Sequence, residues 1–353
     1  MENKNLKVQG LILLDVDVVA LNNAGKDTTP NFDNAVATKK IYKNGRSYVY
    51  VSGQAWRYWW RDSLQKNLGW TLSPITRQEK IAFTDANPIV FADDDVFGYM
   101  RAAKEESVDE KGKTKKKDIT VTRVSPLKNS AIIATHSTST AKNWSSMARQ
   151  NGDAVPYIKE EYSAIMKGMF SLDLSMVGTF SNYNKTGFQN LSDKLREEAL
   201  KNGAMLIPDS YVSGQELVQL PLEIRKKRAV DTISALKYIS GGAMQTNNMG
   251  DVTPKFIVLA TTNTGNHPFS HIVSSKGERD EQLCWNIAAL KEVLVEYKDT
   301  FKGKIFIGKR TGFMDDWNES LNALKNEYKD IIEVGAINEI IDKYCEQIKD
   351  QMA

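Results

Sequence analysis

The residues whose types and spacing suit chemistry are few, and most are basic. Arg225, Lys226, Lys227 and Arg228 form a run near the start of a predicted helix. That end carries the positive pole of the helix macrodipole and disfavours cations, so either something negative offsets them, with phosphates the natural candidates, or the run is a solvated basic face. The flexible Gly241-Gly242 turn, with Gln245, Thr246, Asn247 and Asn248, could offer backbone N–H groups and amides to the same phosphates. Arg57 and Arg61 stand one helical turn apart, a spacing that reaches successive phosphates. Arg61 could equally pair with a nearby acid such as Asp62. Asp93, Asp94 and Asp95 invite a metal reading, yet consecutive acids do not project to one point. Their expected role is loop solubility or capping of the VFGYM segment. His267 and His271 are four apart, but Pro268 and the lack of a third ligand argue against zinc. No nucleophile elbow, P-loop or dinucleotide fingerprint is present, so no catalytic residue, metal or cofactor is assigned.

Composition narrows the partners without choosing one. The 353 residues are 41% hydrophobic and 26% charged, as in a soluble globular protein of one elaborated domain or two. Lys+Arg 47 against Asp+Glu 44 leaves a net charge of only +3, so a nucleic-acid site must come from local clustering. Cys284 and Cys345 form no CxxC pair, which favours a reducing cytoplasm over a disulfide framework. The N-terminal MENKNLKVQG has no signal-peptide core, and no apolar run approaches transmembrane length, so a cytoplasmic protein without a membrane partner is expected.

Periodicity indicates what must position these groups. Residues 10–20 read as a strand with Ile12, Leu14, Val16, Val18 and Ala20 on a core face, and Asp15 and Asp17 on a wet one. Residues 21–34 are a polar loop, and 39–51 an edge segment turning at Asn44-Gly45. Ser52 caps a helix over 53–68 that stops at Gly69. Trp56, Trp59, Trp60 and Leu64 form its buried stripe. Arg57 and Arg61 lie off that stripe, so replacing them should leave the fold intact. Residues 104–117, KEESVDEKGKTKKK, form a surface insertion whose KTKKK end is a further nucleic-acid candidate. Strands are expected at 120–124 and 131–136, a helix at 160–167, a strand at 168–180 and a short helix at 192–201. Ala229, Val230, Ile233, Leu236 and Ile239 mark a helix ended by Gly241-Gly242, and the apolar run 256–260 a strand covered on both faces. A helix at 278–297, a strand at 304–307 and helices near 319–328 and 336–352 complete the chain. With insertions removed, the order is strand, helix, strand, strand, helix, strand. This is the ferredoxin-like order shared with RNA-recognition modules. No RNP-type aromatic motif is present, so any RNA would be held by its backbone.

Several stretches carry a resemblance to a known family: GLILLDVDVVALNNAG at 10–25, YVSGQAWRYWWRDSL at 50–64, ANPIVFADDDVFGYM at 86–100, TRVSPLKNS at 122–130, KGMFSLDLSMVGTF at 167–180 and YISGGAMQTNNMGDVTPK at 238–255. On these the chain resembles the DevR family of CRISPR-associated proteins, the Cas-seven backbone subunits of type I (I-B-like) Cascade complexes. The resemblance implies an α+β fold, an RNA-recognition-motif (ferredoxin-like) palm with large finger and thumb insertions. The palm would comprise 1–76, 119–181 and 222–270, the finger 77–118 and the thumb 182–221, with a C-terminal α/β region at 271–353 packed on the palm. It implies a non-catalytic subunit whose copies polymerise along the crRNA beside other Cascade subunits, meeting target DNA through guide pairing. RNA-backbone contacts would fall on Asn22, Asn23, Lys39, Lys40, Gln54, Arg57, Arg61, Gly241, Gly242, Ala243, Gln245 and Thr246, with Arg225, Lys226 and Arg228 beside them. Met244 departs from the family, whose glycine turns often carry lysine there. The competing expectation is a metal-dependent ribonuclease, as in related type III backbone subunits that use an aspartate after the first strand; Asp27 and Asp33 occupy that loop here.

Overall fold

The computed structural model describes residues 5–26, 35–78, 81–108, 114–147, 151–183, 189–280 and 282–352, with the side chains at 26, 103–108, 114–119 and 147 outside that description. Its frame is one large sheet. Seven strands carry it: β1 (Lys7–Val19), β2 (Arg46–Val51), β3 (Ile132–Ala134), β4 (Val155–Asp173), β5 (Phe256–Thr262), β6 (Ile305–Lys309) and β7 (Ile332–Gly335). Their spatial order is β7-β6-β5-β1-β4-β3-β2, and Lys40–Lys43 closes the β2 edge. Neighbours along this path are antiparallel except β6 and β7, which are parallel. Eight helices, α1 (Gly53–Leu68), α2 (Ala92–Phe97), α3 (Asp193–Lys201), α4 (Leu222–Ser234), α5 (Gln245–Asn248), α6 (Ile287–Glu296), α7 (Asn318–Glu327) and α8 (Ile337–Gln351), are found among the described residues, giving a mixed α+β fold dominated by sheet.

Both faces of the sheet are covered. On one, α1, α4 and α8 pack over Ile12 and Leu14 of β1 and Phe170 and Leu172 of β4. Trp56 and Trp60 stack at 5.4 Å between ring centroids, and Trp60 meets Phe170 edge-on at 5.1 Å. Such aromatic pairs contribute about 0.5–1.5 kcal/mol each beyond the area they bury. Gly10 lies directly beneath Phe170, where a Cβ would sit 2.1 Å from the ring, so the close packing of helix on sheet needs glycine there. On the other face Leu11, Leu13, Phe256 and Val258 are buried under Phe269, Trp285, Trp317, α6 and α7. The wet face expected for β1 is therefore corrected: it begins only at Asp15. Val18 points outward, 54% exposed, because the ladder shifts register between Val16 and Val19.

Other readings fare according to how local their cause is. Ser52 accepts the Ala55 N–H at the start of α1, and Gly69, in the left-handed region, ends it. Ser192 caps α3 in the same way. β5 is buried at all its positions, as its apolar run predicts. The helix expected at 160–167 is instead part of β4, a 19-residue strand. Its alternation of buried Tyr162, Ala164, Met166, Phe170 and Leu172 fits a period of two, and pairing with β1 on one side and β3 on the other outweighs local helix preference. The helix expected from 278 starts only at Ile287, after a short strand at Leu283–Trp285. The helix expected to run to Gly241 ends at Ser234 and tightens into a 3₁₀ turn at Ala235–Lys237, leaving the glycines in the loop beyond.

Two projections leave the frame. One is a hairpin, Tyr99–Val108 paired with Thr114–Arg123, preceded by a smaller hairpin at Ile75–Gln78 and Ile81–Thr84. The other is a three-stranded sheet of Thr179–Ser181, Glu216–Gln219 and Met205–Pro208 with α3. Its small core contains Phe180, Leu191, Ala199, Val218 and Leu220. Among the described residues no helix is long and apolar enough to cross a membrane.

Candidate nucleic-acid interface

Three segments far apart in sequence meet at the N-terminus of α1. In the loop after β1, Asn22 accepts the Ser52 N–H through Oδ1 at 3.0 Å and the Lys39 N–H through its backbone carbonyl at 2.8 Å. From the glycine loop, Ala243 N–H donates to the Leu21 carbonyl at 3.0 Å. Gly241 lies against Trp59, where a Cβ would sit 2.2 Å from the indole, and Gly242 adopts φ +115 against Leu21. Both positions need glycine, one for space and one for conformation. Gln245 folds back to the carbonyls of Gly241 and Gly250, the latter at 3.1 Å, which fixes the loop's shape. Met244 occupies the left-handed region immediately before α5.

The electrostatics of this edge favour an anion. The first turn of the 16-residue α1 holds no acidic residue, so its positive pole is not neutralised within the helix. Lys39 is half-buried with no ion pair among the described residues, while Gln54 and Thr246 are exposed. Asn23 lies on a short strand at Asn23–Lys26, its Oδ1 buried without a partner. Lys40, one residue from Lys39, is committed elsewhere: its ammonium pairs with Glu160 at 2.9 Å. Burial opposes ionisation of Glu160, but the hydrogen bonds from Lys40 and Thr38 hold its carboxyl below the usual range.

The basic run is placed differently from the expectation. Arg228 is 5% exposed, bonded to Asp95 Oδ2 at 2.8 Å and to the carbonyls of Pro88 and Ile89 at 2.8 and 3.0 Å. Arg225 donates through Nε to the Val177 carbonyl at 3.0 Å, and Lys227 pairs with Asp231 at 2.6 Å. Of the four, Lys226 alone has no ion pair or side-chain hydrogen bond among the described residues. The negative group offsetting the cations is thus a buried aspartate. The run and the glycine loop are also set apart along the chain: from Arg228 to the end of α4 at Ser234 is about 9 Å of helix, and the 3₁₀ turn at Ala235–Lys237 follows before Gly241.

The acidic run is correspondingly not a solubility device. Asp93, Asp94 and Asp95 are all buried on α2. Asp93 pairs with Arg61 at 2.9 Å and accepts the Ser73 N–H at 2.9 Å, so the partner of Arg61 is Asp93, and Asp62 pairs with Lys66 instead. Burial raises the Asp94 pKa despite hydrogen bonds from Thr84 and Ser73. Asp95 joins Arg123 and Arg228 and accepts the Gly178 N–H at 2.8 Å. Arg57 is spent as well. It donates to Leu127 O at 2.7 Å, Asn129 Oδ1 at 3.1 Å, Phe97 O at 2.7 Å and Ser125 Oγ at 2.8 Å. Burial and the neighbouring Arg61 push its pKa down to about 10. The expectation that Arg57 is dispensable to the fold is therefore corrected.

The histidines diverge: His267 Nε2 lies 2.9 Å from the Gly10 carbonyl, and His271 is exposed. Asp27, Asp33 and the side chains of the KTKKK segment fall outside the described residues. What sequence reasoning missed is Asp95 as the partner of Arg228, with Arg123 sharing the same carboxylate. Helical phase was the available signal. Arg225 and Arg228 share the face of Ala229, Thr232 and Ile233, which is buried, whereas Lys227 does not.

A family profile described as "CRISPR-associated negative auto-regulator DevR/Csa2" matches residues 14–281. No curated protein matches the chain. Among solved structures, a chain of a "CRISPR RNA-guided surveillance complex, pre-nicking" is similar with a TM-score of 0.52 at 9% identity, covering 97% of this chain and 99% of that one. Another, from a "CRISPR RNA-guided surveillance complex", gives a TM-score of 0.49 at 11% identity over the same shares. At such identity the structural likeness speaks for the fold. The profile spans well over half of the sequence, and the chain belongs to the DevR/Csa2 family of CRISPR-associated proteins.

Proposed function

We propose that the chain is a non-catalytic backbone subunit of a type I CRISPR surveillance complex, gripping the phosphates of the guide RNA and polymerising along it. The observation that carries this reading is the meeting of the loop after β1, the N-terminus of α1 and the glycine loop at one edge. There Asn22 and the glycine loop are tied by internal hydrogen bonds to the start of α1, while exposed Gln54 and half-buried Lys39 stand near an unneutralised helix pole. Other Cascade subunits flank the assembly, and target DNA is met through guide pairing, so no base-reading side chain is required.

The strand order supports a palm of RNA-recognition type. β5-β1-β4-β3, all antiparallel, with α1 between β1 and β3 in the chain and α4 between β4 and β5, is the arrangement that plan requires. The hairpin between Tyr99 and Arg123 would then be the finger and the sheet around α3 the thumb. One departure matters for function: the sheet face on which such modules stack bases is buried here under the C-terminal region. RNA would run along the edge, held by its backbone. The test of the non-catalytic part is a gel of end-labelled guide and complementary RNA incubated with purified protein, with and without Mg²⁺ or Mn²⁺. Unchanged RNA is expected. Metal-dependent products, abolished by EDTA or by Asp27→Asn with Asp33→Asn, would overturn it.

A further inference from the structure

We propose that Asp95, Arg123 and Arg228 form a positioning joint that sets the angle of both projections to the sheet, and that the two projections turn about it as one body. The joint is fully internal, and it draws together four segments. Asp95 comes from α2, Arg123 from the end of the hairpin, Gly178 from the turn into the three-stranded unit and Arg228 from α4. Arg123 ends no bond in solvent. Its Nε donates to the Asp95 carbonyl at 2.8 Å, and its other nitrogens donate to Thr179 O at 3.0 Å, Met176 O at 2.7 Å and the Asp95 carboxylate. Its guanidinium also lies 4.3 Å from the Phe180 ring centroid. Guanidinium forks of fixed geometry, with their donors met, admit little angular play, and removing one buried partner leaves the other charge uncompensated.

A separate set of bonds ties the projections to each other. Tyr99 Oη donates to Asn190 O at 2.5 Å, Asn190 Nδ2 to Thr122 O at 2.8 Å, and Thr122 N to Gln189 O at 2.9 Å. The hairpin root is thus laced to the strand-free segment leading into α3, while the ionic joint fastens the pair to α2 and α4. Rotation of either projection alone would break the lacing; rotation of both together would strain the joint and the flanking bonds of Arg225 to Val177 and of Arg57 to Ser125 and Leu127. The consequence for RNA, which rests on the reading above, is that the joint fixes the spacing between successive copies on the guide.

The test is pulsed electron–electron distance measurement without RNA. Spin labels are placed by Met100→Cys on the hairpin, Met205→Cys on the three-stranded unit and Val295→Cys on α6, all exposed positions, with Cys284→Ser. The wild-type background should give narrow distributions for all three pairs; a broad one between 205 and 295 would overturn the joint, even if every variant failed to fold. Asp95→Asn with Arg228→Gln removes one charge of each sign, so the buried net charge is unchanged. It should keep one cooperative melting transition and a narrow 100–205 distance while broadening 100–295 and 205–295. Unchanged distances would overturn the joint, and broadening of 100–205 to the same degree would overturn the single body. RNA that co-purifies with this variant should lose its uniform length. If the distances behave as stated but the wild type holds no RNA, the joint stands and the RNA reading falls.

Discussion

Two regions of this molecule are rich in cations and polar groups, and they use them in opposite ways. At the joint, two guanidiniums close on one carboxylate with every partner inside the protein. At the α1 edge, the helix pole is not neutralised, Gln54 and Thr246 are exposed, and half-buried Lys39 has no ion pair among the described residues. Clustered charge in a sequence therefore does not tell a ligand site from a structural weld; the phase of each residue on its element does. RKKR looks like a phosphate grip until Arg225 and Arg228 are seen to share a face with Ala229 and Thr232. Of the two lysines expected as contacts, Lys40 is taken by Glu160 and Lys39 sits where an anion would be met.

The contrast can be broken by substitution. Asp95→Ala should have the largest effect on stability, about 3–5 kcal/mol, because it leaves two buried guanidiniums without their carboxylate. A melting temperature near that of the wild type would remove the weld. Arg57→Ala comes next, at about 2–3 kcal/mol, since its hydrogen bonds hold α1, α2 and the residues around Ser125 and Leu127 together. Its RNA retention should fall only as far as its folding does; a stable variant that loses RNA would return Arg57 to the interface. Gly241→Ala should cost about 1–3 kcal/mol by forcing the loop off Trp59, with RNA binding reduced more than stability. Lys39→Gln should leave melting unchanged and flatten the log–log salt dependence of RNA binding by about 0.7, the contribution of a single phosphate contact on a single strand. An unaltered slope would take Lys39 out of the site.

How much of this was legible depends on how locally each feature is determined. The cap at Ser52, the short helix near 192–201, the stop at Gly69, the tryptophan stripe and the buried run of β5 are set by neighbours in sequence, and they can be read from it. The turn at Asn44-Gly45 is another, since both residues take positive φ as a tight hairpin requires. β4 was not legible as one strand because EEYSAIMK carries apolar residues on both sides of a helix or a strand, and only its partners decide. The covered second face of β1 depends on a C-terminal region some 250 residues away, which no local pattern announces. At the site, the glycine turn was readable from its own residues, and Asn22 followed from the family resemblance. Their convergence on α1 needed the fold. The burial of Asp93, Asp94 and Asp95 ran against the default for charged runs, which is a solvated surface.

The claim that RNA is held by the open edge and not by the basic run is tested most directly by purification without added RNA, followed by a denaturing gel of the nucleic acid that co-elutes. Three proteins are compared: the wild type, Lys39→Glu with Gln54→Glu at the edge, and Lys226→Glu in the run. The account predicts short RNA of uniform length with the wild type, nearly the same amount with Lys226→Glu, and little or none with the edge variant while its melting temperature holds. RNA lost with Lys226→Glu but kept by the edge variant, or no RNA with the wild type, would contradict it.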